Sequence, residues 1–273
     1  MLKFFSYSIA EVEPYINWLY FFHSWQMNGK PEQDRENLRR EVSALLSEMA
    51  VNGKTHAVFG LFDANSDGDD LLVGDCRLPM LRQQVPSAEG HPCLCLADFV
   101  RPLSSGIKDK VGVFATTVDN DLEQRWKDDV YYGLLAQTLC DRLAEATAEK
   151  LHEEVRRHEW GYAPDENLSI SELFHCDYQG IRPAIGYPSL PDTSVNFILS
   201  DILQMERIGI KLTESAMMIP HASVSGFMFS HPQARYFNLG EIGEDQLCDY
   251  ARRRGLHVDA IRRFLSPFCE KDL

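Results

Sequence analysis

A short segment crowded with proline and glycine, residues 180–192, restricts the fold of this chain more than any other feature of its sequence. Each proline fixes its own φ angle and pushes the residue before it towards extended geometry, so neither a helix nor a central strand fits here. Gly186 removes a Cβ where the backbone can approach a ligand closely. Arg182 offers a rigid fork of donors that suits a carboxylate, and Tyr187 offers a flat apolar ring with a polar tip. The segment is therefore either a ligand-binding loop or a stiff surface loop with an incidental arginine.

Helical and strand patterns alternate along the rest of the chain. Apolar residues at helical spacing and the local capping signals predict helices at 31–49, 121–158, 169–174, 195–208, 243–255 and 257–265. Apolar runs predict strands at 55–62, 71–73, 111–118 and 224–229, the last of them next to Tyr236-Phe237. Ser8 and Glu11 fit a capping box that opens a short helix near Pro14. Helices interleaved with short strands and tight polar turns indicate an α+β protein with a largely antiparallel sheet.

Charge and cysteine content narrow the choice of partners and compartment. The net charge of −14 argues against nucleic acid or an anionic membrane as the main partner. The 7 cysteines are scattered, which is typical of a reducing cytoplasm. Glu11 and Glu13 close the first apolar run, which is too short for a signal peptide or a membrane span. The 273 residues show no linker or repeat, and we expect a cytoplasmic protein of one large or two small domains.

Two groups of potential metal ligands are weak candidates. The run Asp63-Ala-Asn-Ser-Asp-Gly68 follows the first half of a calcium-binding loop, but the twelfth position is Gly74 instead of a bidentate glutamate. A polar hairpin turn between two strands is the better interpretation. The pair Cys93-Leu-Cys95 lacks the spacing of a zinc or thioredoxin site, and buried thiols are expected. No metal site is predicted.

Several motifs resemble one known family. The segment Arg182-Pro-Ala-Ile-Gly-Tyr187 is similar to the R-x-x-x-G-Y loop of the S-adenosylmethionine-binding activation domain of cobalamin-dependent methionine synthase. Further motifs follow that domain in the same order: Tyr15-Ile-Asn-Trp18, Leu96-Ala-Asp-Phe-Val100, Asp141-Arg-Leu-Ala-Glu-Ala146, Trp160-Gly-Tyr-Ala-Pro164, Glu166-Asn-Leu-Ser169, Lys211-Leu-Thr-Glu-Ser215, Ala222-Ser-Val-Ser-Gly226, Phe229-Ser-His-Pro232 and Asp249-Tyr-Ala-Arg-Arg253. The resemblance implies a single domain over residues 1–273, with a twisted, mainly antiparallel sheet flanked by helices.

The resemblance also implies a cofactor site for S-adenosylmethionine. Arg182 matches the family arginine for the ligand carboxylate, and Tyr236 matches an aromatic residue on a neighbouring strand that closes the site. Glu145 falls where the family helix places a carboxylate near the ligand, although a solvated glutamate is the competing interpretation. The other matching positions line the cofactor or face its ammonium group: Ala184, Gly186, Tyr187 and Asn17. No catalytic side chain is expected, because the corrinoid itself is the nucleophile.

Four positions differ from the family pattern. Asn17 stands where the family has an aspartate that accepts from the ligand's ammonium group. Cys176 replaces an acidic residue shortly before the loop, with Asp177 beside it. Thr193 stands where the family has a histidine, and Phe237 replaces a second tyrosine. These differences bear on ligand affinity and on docking to a cobalamin module.

Two functional hypotheses follow. The first is a stand-alone reactivation subunit, which binds S-adenosylmethionine for the reductive methylation of cobalamin on a methionine synthase partner, with a flavodoxin-like electron donor. The second is a non-catalytic module that binds a cobalamin protein or senses a ligand through a degenerate site. A basic patch near the C-terminus is either a docking surface for an acidic partner or a solvated face: Arg252, Arg253, Arg254, Arg262 and Arg263.

Overall fold

The β-strands of the computed structural model, which describes residues 1–269, form one six-stranded sheet and one two-stranded sheet. The strands are β1 (Leu2–Ser8), β2 (Lys54–Asp67), β3 (Asp70–Val73), β4 (Cys76–Pro79), β5 (Asp109–Val118), β6 (Lys211–Leu212), β7 (Met218–Ile219) and β8 (Ser223–Met228). The larger sheet has the order β4-β3-β2-β5-β8, and β1 also pairs with β2. All these pairs are antiparallel. The expected α+β fold with a mainly antiparallel sheet is confirmed.

The long strand β2 organises the sheet. β1 pairs with its first half and β3 with its last residues, while β5 runs along its other edge. The expected polar hairpin between β2 and β3 is present, but its turn is shorter than predicted, because β2 continues to Asp67 and the turn lies at Gly68, where φ is +60°. Main-chain pairing with β3 keeps residues 64–67 extended, so the polarity of the side chains did not mark the turn.

The helices cover both faces of the sheet and one end. They are α1 (Ile9–Val12), α2 (Trp18–Ser24), α3 (Glu32–Ala50), α4 (Val130–Glu154), α5 (Ile170–Phe174), α6 (Val195–Leu203), α7 (Glu244–Arg254) and α8 (Val258–Leu265). The capping boxes of α1 and α5 are present, and Pro14 lies in a short 3₁₀ turn after α1. The predictions for α3, α7 and α8 agree with these bounds.

Two predicted helices are shorter than expected. Helix α4 begins at Val130 instead of Asp121, because residues 119–129 form successive turns and the carboxylate of Asp129 accepts from the amide of Tyr132, 2.9 Å away. Its last turn widens into a π-helical segment, Val155–Glu159. Helix α6 stops at Leu203, since Gln204 adopts a left-handed conformation with φ +54° before a 3₁₀ turn.

Apolar side chains alternate between the two faces of the sheet. Phe59 and Phe114 point towards α3 and α4, where they join one hydrophobic core. Val58 and Val113 point to the opposite face, where they pack with α6 and the loops around it. A smaller core joins α7 and α8 beside β4. Burial on both faces fixes the register of the central strands, since a slip of one residue exchanges their faces.

The expected strand around Tyr236 and Phe237 is wrong. β8 ends at Met228, and both residues lie in an irregular segment that follows Pro232. The amide of Leu239 donates to the carbonyl of Pro188 at 3.0 Å, so this segment lies against the loop at 180–192 instead of extending the sheet. Tyr236 therefore reaches the site from a loop.

Candidate functional site

A cavity of about 610 Å³ lies between helix α4, the loop at 180–192 and the segment that carries Tyr236. Its size falls within the range of small-molecule sites. Six of the seven predicted cofactor-binding residues line it: Asn17, Glu145, Arg182, Ala184, Tyr187 and Tyr236. Gly186 instead lines a neighbouring cleft of about 460 Å³, which shares Arg142, Glu145 and Tyr187 with the cavity. The tertiary structure thus brings distant parts of the sequence to one place.

Strand β8 holds the loop at 180–192 through the backbone. Ile181 forms a bridge with Phe229, and Ala184 forms another with Gly226. Gly180 has φ +88°, and a Cβ there would lie 2.2 Å from the carbonyl oxygen of Phe229. Because the loop is attached to the sheet on both sides of Arg182, it presents that residue from a rigid support.

Arg182 is anchored at both its backbone and its side chain. Its amide donates to the hydroxyl of Tyr236 at 2.9 Å. Its Nη2 donates to Oε2 of Glu149 at 2.9 Å, and the two side chains are only 10% and 12% exposed. Burial by itself lowers the pKa of Arg182, but the combined attraction of the surrounding acidic groups, with Glu149 foremost, raises the pKa above its usual value. Arg182 is therefore a fixed cation in the cavity wall.

Glu149 is the site residue that the sequence analysis missed. It lies one turn after Glu145 on α4, and both carboxylates line the cavity. Within the described residues, Oε1 of Glu149 and Nε of Arg182 are shielded from solvent and have no hydrogen-bond partner. The spacing of four residues on one helix face was the signal available in the sequence.

Tyr187 and Glu145 form the outer edge of the cavity. The hydroxyl of Tyr187 donates to Oε1 of Glu145 at 2.6 Å, and the tyrosine is 50% exposed. Burial and the nearby Glu145 carboxylate raise the pKa of Tyr187. Gly186, with φ +89°, turns the chain just before this contact. Glu145 is therefore a partner of the loop and not a freely solvated side chain.

Asn17 lines the cavity but also caps a helix. Its Oδ1 accepts from the amide of Leu19 at 3.2 Å at the start of α2. The other three positions that differ from the family pattern lie nearby. Cys176 and Phe237 line the same cavity, and Thr193 lines the neighbouring cleft.

A buried polar layer extends from the cavity along α4. His152 is fully buried, packs edge-on against the ring of Tyr178 and, among the described residues, has no partner at either ring nitrogen. Burial and the charges of Arg156 and Arg182 lower its pKa well below the usual value. Arg156 is fully buried as well and pairs with Glu166, with its Nη2 2.7 Å from Oε1 of the glutamate.

The predicted basic patch is largely engaged within the chain. Arg253 bonds Asp70 and Asp249, and the side chain of Arg254 is buried near Asp192. Arg252 bonds Asp249 but remains 75% exposed. The patch is therefore mainly a set of internal ion pairs, which weakens its interpretation as a docking surface.

The calcium-like run is also occupied by protein groups. Asp63 pairs with Lys108 and Lys110, and Asp67 pairs with Arg77. Across residues 1–269, no group of three or more His, Cys, Asp or Glu side chains is placed to hold a metal ion. In the same part of the chain, no helix combines the length and hydropathy needed to cross a membrane.

Fold and cavity together define an α+β domain with a cavity of small-molecule size between an acidic helix face and an arginine-bearing loop. The model of the family described as vitamin B12 dependent methionine synthase, activation domain, matches residues 8–255. The chain belongs to this family, as its motifs predicted. It is also similar to a crystal structure of the MetH reactivation domain bound to AdoHcy, with a TM-score of 0.92 and 38% sequence identity, over 100% of this chain and 91% of that one.

Proposed function

We propose that this chain binds S-adenosylmethionine in the cavity beside α4 and acts as a stand-alone reactivation subunit for a cobalamin-dependent methionine synthase. The observation that carries the proposal is the convergence of Arg182, Glu145, Tyr187 and Tyr236 on one cavity. The similar reactivation domain was crystallised with AdoHcy, which differs from S-adenosylmethionine by the transferable methyl group.

The groups in the cavity wall fit the chemistry of this ligand. S-adenosylmethionine carries a carboxylate, an ammonium group, a sulfonium and a flat adenine. Arg182 supplies a cation for the carboxylate, whereas Glu145 and Glu149 supply negative charge for the two cationic groups. The rings of Tyr187 and Tyr236 offer flat surfaces for the base. The backbone around Ala184 and the turn at Gly186 would complete the lining.

In this proposal the protein acts by binding and orientation. When bound, S-adenosylmethionine supplies an electrophilic methyl group for reduced cobalamin. Arg182, held by Glu149 and Tyr236, fixes the amino-acid end of the ligand, and the loop at 180–192 limits the access of water. No side chain of the chain needs to act as a base, because the nucleophile belongs to the corrinoid.

The proposal includes a cobalamin-carrying methionine synthase partner and a flavodoxin-like electron donor. A cytoplasmic location is proposed as well, which agrees with the unpaired state of all seven cysteines. The alternative is a non-catalytic module with a degenerate ligand site. It is favoured by neutral side chains at Asn17 and Cys176, both in the cavity wall.

Calorimetric titration with S-adenosylmethionine and S-adenosylhomocysteine tests the binding step. We expect one site, and at least about tenfold weaker binding for Arg182→Lys, which keeps a charge opposite Glu149 but loses the fork. Arg252→Ala, on the exposed face of α7, is the matched control and should bind like wild type. The absence of heat for wild type would refute the proposed cofactor site.

A reactivation assay separates the two functional hypotheses. The protein is added to a methionine synthase preparation that holds cob(II)alamin and lacks its own activation domain, together with a reductant and S-adenosylmethionine. The proposal expects methylcobalamin to form only when the chain is present, and Arg182→Lys to slow its formation. Ligand binding without any reactivation would favour the non-catalytic module.

A further inference from the structure

We infer that Glu149, paired with Arg182, is the acceptor for the α-ammonium group of the ligand, and that Asn17 does not supply this acceptor. The inference rests on the proposed function and assigns a determinant of specificity within that site. This determinant makes the site select a ligand with a zwitterionic amino-acid end over one with a plain carboxylic acid.

The Arg182–Glu149 pair has the charge pattern that a zwitterion requires. The two charged groups are joined by a bond of 2.9 Å, and both side chains line the cavity while remaining about nine-tenths buried. Oε1 of Glu149 and Nε of Arg182 are shielded from solvent, so the small exposed fraction of each side chain belongs to its other atoms. A ligand that places its carboxylate against Arg182 and its ammonium against Glu149 completes a ring of alternating charges.

Glu149 also disfavours ligands that lack the ammonium group. A carboxylate bound at Arg182 without a neighbouring positive charge lies next to the buried negative charge of Glu149. The repulsion is poorly screened, because this part of the cavity wall is buried. The same glutamate therefore attracts the amino-bearing ligand and penalises its analogue.

The other candidates in the cavity wall are less suited to this role. Asn17 offers only a neutral amide oxygen, and this Oδ1 already accepts from the amide of Leu19, whereas its Nδ2 is a donor that cannot bind an ammonium. Glu145 accepts from the hydroxyl of Tyr187 at the exposed edge of the cavity. Of the two carboxylates in the wall, Glu149 is the one that already contacts Arg182.

The experiment measures ligand discrimination by calorimetry. S-adenosylhomocysteine is compared with its analogue lacking the α-amino group, for wild type, Glu149→Gln, Glu149→Asp and Asn17→Ala. We expect wild type to prefer the amino-bearing ligand by at least about tenfold, and Glu149→Gln to reduce this preference to about threefold or less. Glu149→Asp, which retains the charge, should recover part of the preference. Asn17→Ala should retain most of it.

The ratio of the two affinities distinguishes recognition from support. If Glu149→Gln weakens both ligands by the same factor, Glu149 only positions Arg182 and the inference is overturned. The same holds if Asn17→Ala, and not a change at Glu149, removes the preference. If Glu149→Gln does not fold, Glu149→Asp decides the question: a variant that weakens both ligands by the same factor, and so keeps the full wild-type preference, overturns the inference. Failure of wild type to bind either ligand would overturn the proposed function together with the inference.

Discussion

Gly226 lies directly beneath the carbonyl of Pro183. A Cβ on Gly226 would be 2.2 Å from that oxygen, well inside any permitted contact. The adjacent amide of Phe227 donates to the same oxygen at 3.1 Å, and the amide of Ile185 donates to Ser225 at 2.8 Å. Strand β8 and the arginine-bearing loop are therefore in direct backbone contact with no room for a side chain at Gly226, and the loop takes its position from the sheet.

Substitution of Gly226 should displace the loop. We expect Gly226→Ala to weaken S-adenosylmethionine binding by more than about tenfold and to cost roughly 1–3 kcal/mol of stability, because Pro183 must move away. Titration and denaturant unfolding measure the two effects. Gly243→Ala is the control, since φ there is −71° and the added Cβ meets a flexible aspartate side chain at 3.1 Å. Unchanged ligand affinity in Gly226→Ala would contradict this account.

The Arg182–Glu149 pair should show strong coupling in stability. Arg182→Met alone and Glu149→Leu alone should each destabilise the protein by about 3–5 kcal/mol, because each leaves an uncompensated charge that is largely buried. The double variant should cost less than the sum of the two. A double-mutant cycle by denaturant unfolding measures this, and additive losses would show that the two charges do not depend on each other.

His152 should make the protein less stable in mild acid. Its folded pKa lies well below the usual value, whereas in the unfolded chain it is about 6.5. As the pH falls below about 6.5, the unfolded chain binds a proton that the folded protein does not, so the free energy of unfolding decreases by up to about 1.4 kcal/mol per pH unit.

The variant His152→Phe lacks this titration and can still pack against Tyr178. We expect the stability of wild type relative to this variant to decline between pH 7 and pH 5, as measured by denaturant unfolding at each pH. Parallel stability curves for the two proteins would mean that His152 becomes protonated without unfolding.

Calcium should leave the protein unchanged. The carboxylates that imitate a calcium loop lie on β2 and bond to Lys108, Lys110 and Arg77 instead of converging on one point. We expect the same Tm with calcium, with magnesium and with a chelator in thermal unfolding. A rise specific to calcium, lost in Asp63→Asn, would show that these strands rearrange to form a site.

Local signals in the sequence predicted much of the fold. The periodicity of α3 and the apolar runs of β5 and β8 placed these elements within a few residues of their observed bounds. Errors arose where tertiary pairing overrides local chemistry. Pairing with β3 keeps the polar end of β2 in strand conformation. Tyr236 reaches the cavity from a loop that is hydrogen-bonded to Pro188 and Arg182. These contacts depend on which elements pack together in the fold, so no local pattern in the sequence indicates them.

By itself, the sequence determined that residues 180–192 form a stiff loop, because proline and glycine restrict the backbone locally. It also determined the family, through the order of its motifs. Only the tertiary structure decided the state of the side chains in the site. It paired Arg182 with Glu149 and turned the oxygen of Asn17 to a helix end. The physical reason is that a charge removed from water must take a partner from whichever element is packed beside it, and that neighbour is fixed by the whole fold.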